Sequence, residues 1–335
     1  MKKSKLITSC VLGLFMGTAL LTGCGSSSSK APSTEKKEIL LKAADNQPED
    51  YPTTMALKEM ARLLSDRTQG RIKMQVYAGG QLGGEKESIE MTQMGTIAIN
   101  RVSTAPLVSF VPKMGVFSMP FLFRDSDHFW KVLDGAVGKD LLKSLETNNL
   151  VGLGYYDSGA RSFYTKGKAI NTAEDAKGQK IRVQQSKIFV DLINSLGASA
   201  TPMGYGEVYS GLQTGIIDGA ENNPPSFWTT KHYEVCKFYV LDEHAMVPEA
   251  IIMSKKVWDT LSPEDQKIVA QAAADSVGYE KKLWTEFTEK SLKELADKGV
   301  IISKPDKESF RKAVAPMYEK YPEYKEVIAQ IQAVK

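Results

Sequence analysis

From Ser262 to Gly299 the chain carries one helical pattern, with a proline only in its first turn and a single internal glycine, Gly278. Ser262-Pro-Glu-Asp starts it well. A serine cap accepts from a free amide, proline suits the first turn, and acids sit at the positive end of the helix dipole. Apolar residues then recur at helical spacing through Val269, Ala272, Ala273, Val277, Leu283, Trp284, Phe287, Leu292 and Leu295. At about 1.5 Å per residue such a helix reaches ~50 Å, which is hardly less than the width of an ordinary domain. The pattern therefore predicts either one helix laid across two domains or two helices kinked at Gly278.

The rest of the chain alternates strand-like and helical runs. Strands are predicted at 38–44, 71–77, 97–100, 151–156, 180–184 and 250–254, and helices at 52–68, 85–94, 189–196 and 207–214. This alternation predicts an α/β fold of helix-covered sheets. The apolar run 250–254 is placed to return the chain to the first domain.

The N-terminus reads as an address. Lys2, Lys3 and Lys5 precede an uncharged, mostly apolar stretch from Leu6 to Leu21, followed by Leu21-Thr22-Gly23-Cys24. A basic start, a short apolar core and small residues before a cut site describe a secretory signal. The cysteine after Leu-Thr-Gly resembles the lipobox of bacterial lipoproteins, which implies a diacylglycerol on Cys24. The Ser-rich tract that follows suits a flexible tether. Without residues 1–23, the 43 Lys and Arg lose three lysines and balance the 40 Asp and Glu. A neutral mature chain is a poor partner for nucleic acid. Cys236 alone remains after the leader and lipobox cysteines, so no internal disulfide is expected.

The chemistry-bearing segment lies between Tyr155 and Asn223. It contains Asp157-Ser-Gly-Ala-Arg161, Lys180-Ile-Arg182-Val-Gln-Gln185, Glu207-Val-Tyr-Ser-Gly-Leu-Gln-Thr-Gly215 and Asp218-Gly-Ala-Glu221-Asn222. A guanidinium fork matches the two oxygens of a carboxylate. No nucleophile with an adjacent base accompanies it. His128, His232 and His244 do not cluster, and no zinc, phosphate-loop, dinucleotide or nucleophile-elbow motif occurs. The segment predicts recognition of an organic anion, with no metal, no cofactor and no catalysis.

These four blocks, in this order and spacing, resemble the solute-binding proteins of TRAP transporters, from about Ile39 to the C-terminus. The resemblance implies a two-domain, periplasmic-binding-protein-like α/β fold, a ligand cleft between the domains and a long helix spanning both. It divides the chain into a leader (1–23), a tether (24–37), a first domain (38–158 with 248–287) and a second (159–247 with 288–335). It implies an exported, lipid-anchored monomer that closes on a small organic acid and delivers it to separate membrane permease subunits.

The resemblance also implies roles. Arg182 pairs with the ligand carboxylate, Arg161 donates to that carboxylate or a nearby hydroxyl, and Asn222 fixes orientation. Glu221 accepts from ligand hydroxyls or braces an arginine. Gln185 is a polar pocket position, and Tyr205 lays its ring on the ligand or packs in its loop. In the first domain Glu85 is a pocket carboxylate or merely an N-terminal helix acid, and Asn46 and Gln47 lie at the cleft mouth. Arg101 and Ser103 follow the third strand; Arg101 departs from the family's pattern, in which acidic or small residues are common there, and as a third arginine it predicts a grip on a second carboxylate or on several hydroxyls. His244 approaches the cleft or serves the hinge. The polar character of these positions favours a hexuronate such as glucuronate or galacturonate over a four-carbon or aldaric dicarboxylate, a sialic acid or a keto acid. An enzyme acting on an acidic sugar and a receptor feeding a sensor kinase are the other functions considered.

Overall fold

Ser262 caps the long helix as expected: its hydroxyl accepts from Asp265 N–H at 3.1 Å, with Pro263 as the first helical residue. The helix then runs unbroken through 35 residues, Pro263–Asp297, and ends before Gly299, which sits at φ +77°. Gly278 does not kink it. The computed structural model describes residues 37–335; the leader, the lipobox and Cys24 lie outside the described residues.

Among the described residues eleven strands form two sheets. They are β1 (Ile39–Ala44), β2 (Ile72–Tyr77), β3 (Ile99–Ser103), β4 (Leu150–Tyr156), β5 (Ala160–Thr165), β6 (Lys180–Val183), β7 (Ser199–Pro202), β8 (Gly219–Asn222), β9 (Phe238–Met246), β10 (Glu249–Ser254) and β11 (Ile301–Ser303). The first sheet has the order β2-β1-β3-β10-β4 and the second β11-β9-β5-β8-β6-β7. β10 does return to the first sheet, antiparallel to both β3 and β4.

The chain passes between the sheets at Asp157–Gly159, leaving β4 for β5, and at Val247–Pro248, leaving β9 for β10. The long helix is the third link. Its Val269, Ala272 and Ala273 pack with Leu57, Met60, Ile251 and Met253 of the first sheet's core. Leu295, near its other end, joins Tyr164, Leu212, Ala220 and Phe227 of the second. One helix is thus buried in two cores, which explains its length. Between them the Trp284 ring meets Tyr51 edge-on at 5.9 Å. Among the described residues no helix is long and apolar enough to cross a membrane.

Gly278 has an ordinary helical backbone, and a methyl group there would meet nothing within 4 Å. Gly278→Ala should therefore stabilise the protein by about 0.5–1 kcal/mol, because alanine loses less backbone entropy on entering a helix. Urea unfolding measures this. A destabilised variant would mean that the helix needs a glycine bend.

Candidate functional site

Strand register brings the polar residues of both sheets to one place. Ala44 of β1 lies opposite Asn100 of β3, so Asp45 follows β1 at the level of Arg101. Arg101 itself pairs with Ile251 of β10, two residues from Glu249. In the second sheet Arg182 of β6 lies beside Ala220 of β8, two residues before Asn222. A tight cavity of ≈ 20 Å³ lies between these ends, lined by Asn46, Gln47, Glu85, Arg101, Arg161, Arg182, Gln184, Tyr205, Asn222, Asn223, Ser226 and Glu249. That is room for about one water, so an organic ligand needs the two sides to part.

The three arginines are buried alike but partnered differently. Arg161 donates from Nε and Nη2 to the Glu221 carboxylate, from Nη2 to the Glu221 carbonyl (2.8 Å) and from Nη1 to Asn222 Oδ1 (3.0 Å). Arg101 donates from Nε (3.0 Å) and Nη2 to Asp45, from Nη2 to Asn46 and from Nη1 to Glu249 (2.7 Å). Arg182 is 3% exposed, yet among the described residues it forms no ion pair. It donates only to the Met203 carbonyl, from Nε at 3.1 Å and Nη2 at 2.8 Å. Nη1 is left with both of its N–H groups. Burial pushes the Arg182 guanidinium below arginine's usual range, with the nearby Glu221 charge opposing that shift.

The acids respond to their surroundings. Glu221 is 0% exposed, and although burial acts to raise its pKa, Arg161 and His244 together hold it below the ordinary value. His244 bonds Asp242 through Nδ1 at 2.8 Å and faces Glu221 with Nε2 at 3.5 Å. Burial opposes its protonation, but Asp242 and Glu221 outweigh that and raise it to about 9. His244 is carried there by an irregularity in β9 pairing, where Arg161 and Phe163 face Ala245 and Val240. Burial pushes Glu249 up to about 7 against the lowering effect of Arg101. It also raises Glu85, which accepts from Ser103 N–H at 2.8 Å.

Eight of the expected site residues line the cavity: Asn46, Gln47, Glu85, Arg101, Arg161, Arg182, Tyr205 and Asn222. Glu221, Gln185 and Ser103 do not. Glu221 is committed to bracing Arg161. Gln184, not Gln185, lines the cavity, because side chains two apart along a strand share a face and Gln184 is two beyond Arg182. The Ser103 hydroxyl turns to Ala105 N–H and caps the next helix. Arg101 lies inside β3 rather than after it, and its donors are taken by the chain's own acids. His244 faces Glu221 and lines no part of the cavity.

Asn223, Ser226 and Glu249 were not expected. Asn223 caps the helix Pro224–Thr229, accepting from Ser226 N–H at 2.8 Å. The Asn-Pro-Pro-Ser order was its signal. Glu249 was legible as a lone charge heading a buried apolar strand. Tyr51 reaches across from the first sheet's helix, its hydroxyl donating to Asn223 Oδ1 (3.2 Å) and meeting Ser226 Oγ (2.9 Å). Three buried polar atoms here have no hydrogen-bond partner among the described residues: Gln47 Oε1, Gln184 Oε1 and the Tyr205 hydroxyl. Asn222 Oδ1 is used by Arg161 and by Asn223 N–H, so only its Nδ2 remains to donate.

Bracing has a measurable consequence. Glu221→Gln would leave Arg161 buried without its counter-charge, and should cost about 3–5 kcal/mol of stability by urea unfolding. A loss under 1 kcal/mol would mean that Arg161 does not depend on Glu221.

Known proteins share this fold. The model for the family described as bacterial extracellular solute-binding protein, family 7, matches residues 43–324. A solute-binding protein of Chromohalobacter salexigens is 34% identical over 97% of this chain and 96% of its own length. A TRAP periplasmic solute-binding protein from Xanthobacter autotrophicus, solved with β-D-galacturonate bound, has a TM-score of 0.86 and 44% identity, covering 88% of this chain and 100% of that one. Another, from Pseudomonas putida with bound D-glucuronate, has a TM-score of 0.87 and 40% identity over 89% of this chain and 98% of that one.

Proposed function

Since this chain belongs to the bacterial extracellular solute-binding proteins of family 7, of the TRAP type, we propose that it captures a hexuronate such as D-glucuronate or D-galacturonate and hands it to separate permease subunits. One observation carries the proposal: Arg182 is a buried guanidinium that forms no ion pair within the described chain. An isolated charge in a dry site is costly. A ligand carboxylate meeting Nη1 would supply the missing partner, with Asn222 Nδ2 and the remaining Nη1 proton of Arg161 beside it. The unpartnered Gln47, Gln184 and Tyr205 atoms suit hydroxyls, since each buried polar group left unpaired costs ~1–3 kcal/mol. Hexuronates bound to two similar proteins support the sugar acid.

The ligand is bound and released unchanged. The lining hydroxyls of Tyr205 and Ser226 are hydrogen-bonded to no histidine or carboxylate. Two lobes, one on each sheet, close over the ligand by bending at Asp157–Gly159 and Val247–Pro248. The mature protein acts as an exported monomer, tethered to the membrane through lipidated Cys24.

Arg182→Met separates binding from folding. It should abolish the thermal shift given by glucuronate and galacturonate, a loss of about 2–5 kcal/mol of binding, while leaving the ligand-free melting temperature unchanged or higher. Retained uronate affinity in calorimetry would overturn the assignment. For the anchor, Cys24→Ser should move the protein from the membrane pellet to the soluble fraction. Continued sedimentation with membranes would exclude the lipid.

A further inference from the structure

Resting on the reading of this cavity as a carboxylate site, we propose that its first-sheet end is a charge filter. There Glu85 and Glu249 accept the hydroxyl protons of a polyhydroxylated monocarboxylate and reject ligands with a second carboxylate at the far end.

The charges at that end do not balance in favour of an anion. One cation, Arg101, stands among three carboxylates: Asp45, Glu249 and Glu85, the last at 3.8 Å. A guanidinium has five N–H groups. Four of Arg101's are taken by Asp45, Asn46 and Glu249, and the fifth, on Nη1, is on the atom nearest Glu85. Arg101 therefore has no fork to offer a ligand carboxylate, unlike Arg182 with its undonated Nη1.

The acids at this end do have acceptors to offer. Asp45 is saturated, taking the Thr53 and Thr54 hydroxyls and Gln47 N–H besides Arg101. Glu85 uses Oε1 for Ser103 N–H, and Glu249 uses Oε2 for Arg101. The second oxygen of each is without a donor among the described residues, and both side chains line the cavity. An ionised carboxylate oxygen accepts from a hydroxyl and repels another carboxylate; burial already raises Glu249 to about 7, so a second carboxylate here is held only at the cost of a proton taken up by one of the pair, and the repulsion is strong where water is excluded. The cavity is thus polar in two opposite senses: donors around Arg182 and Asn222, acceptors around Glu85 and Glu249.

The test is calorimetric competition against D-galacturonate by D-galactonate and D-galactarate, in the mature wild type and in Glu249→Gln and Glu85→Gln. The two competitors are open-chain acids with the same inner hydroxyls; only galactarate has a second carboxylate. Galactarate should bind at least tenfold more weakly than galacturonate in the wild type. In one or both variants it should gain at least tenfold relative to galacturonate, while galactonate gains no such factor. Circular dichroism melting of each ligand-free variant checks its fold. Galactarate binding within tenfold of galacturonate in the wild type, or no gain in either folded variant, overturns the filter and leaves the carboxylate site standing. If galacturonate itself does not bind, the carboxylate reading falls, and the filter with it.

Discussion

A buried guanidinium must be matched by negative charge or it destabilises the fold, and three of them surround one cavity here. Two are matched within the chain. Arg161 has Glu221 and Arg101 has Asp45 and Glu249. Arg182 has only a carbonyl oxygen. The difference gives the cavity its direction. Glu221 could in principle serve either arginine, but its two oxygens and its carbonyl are turned to Arg161, and His244 approaches from the side. Arg182 then remains the strongest unanswered donor. That end is defined by an omission: among the described residues no acid forms an ion pair with Arg182.

Much of this was legible in the sequence, and the residues show why. Helix limits followed from caps and spacing: the helix Glu85–Met94 begins after Gly84 and ends at Gly95, at φ +88°. Arg161, Arg182 and Asn222 lie at or one residue from a strand end, where local pattern and position coincide. What was not legible depended on pairing between distant strands. Arg101 reads as a loop cation until β10 is laid beside β3, which puts Glu249 within 2.7 Å. Glu221 and Asn222 are neighbours in sequence, yet one faces inward to Arg161 and the other lines the cavity. His244 reaches Glu221 only because β9 breaks register beside Arg161. No local pattern announces such an irregularity. The Gln184–Gln185 choice was different, since two-residue alternation from Arg182 would have decided it.

The links between the sheets are built as tightly as the site. Asp157 N–H donates to Glu280 Oε2 of the long helix at 3.0 Å, and Asp157 Oδ1 accepts from Gly159 N–H at 2.7 Å. The Ser158 hydroxyl donates to the Val247 carbonyl, joining the two crossing segments to each other. Gly159 sits at φ +55°, and a Cβ there would lie 3.2 Å from Trp284 Nε1. Glycine is needed for both reasons: the backbone is left-handed, and the helix passes directly over it. Burial raises the Glu280 carboxyl well above its usual value, which favours its neutral form in the core against this crossing.

These contacts restrict how the cavity can open. The crossings at Ser158 and Val247 are held together, so they move as one narrow link. The long helix is buried at both ends, which opposes sliding of one sheet over the other. Behind the cavity one apolar core runs from Val102 and Ala250 of the first sheet to Phe163 and Ile181 of the second, while across the cavity the Tyr51 hydroxyl meets Asn223 and Ser226. Breaking those two hydrogen bonds exposes polar groups that water can satisfy, at a net cost of only about 0.5–1.5 kcal/mol each. Arg182 gains even more from the water that opening admits. On the proposed carboxylate reading, the unpaired charge that favours opening in the ligand-free protein is the one a bound carboxylate would neutralise, so that capture and closure would be one electrostatic event.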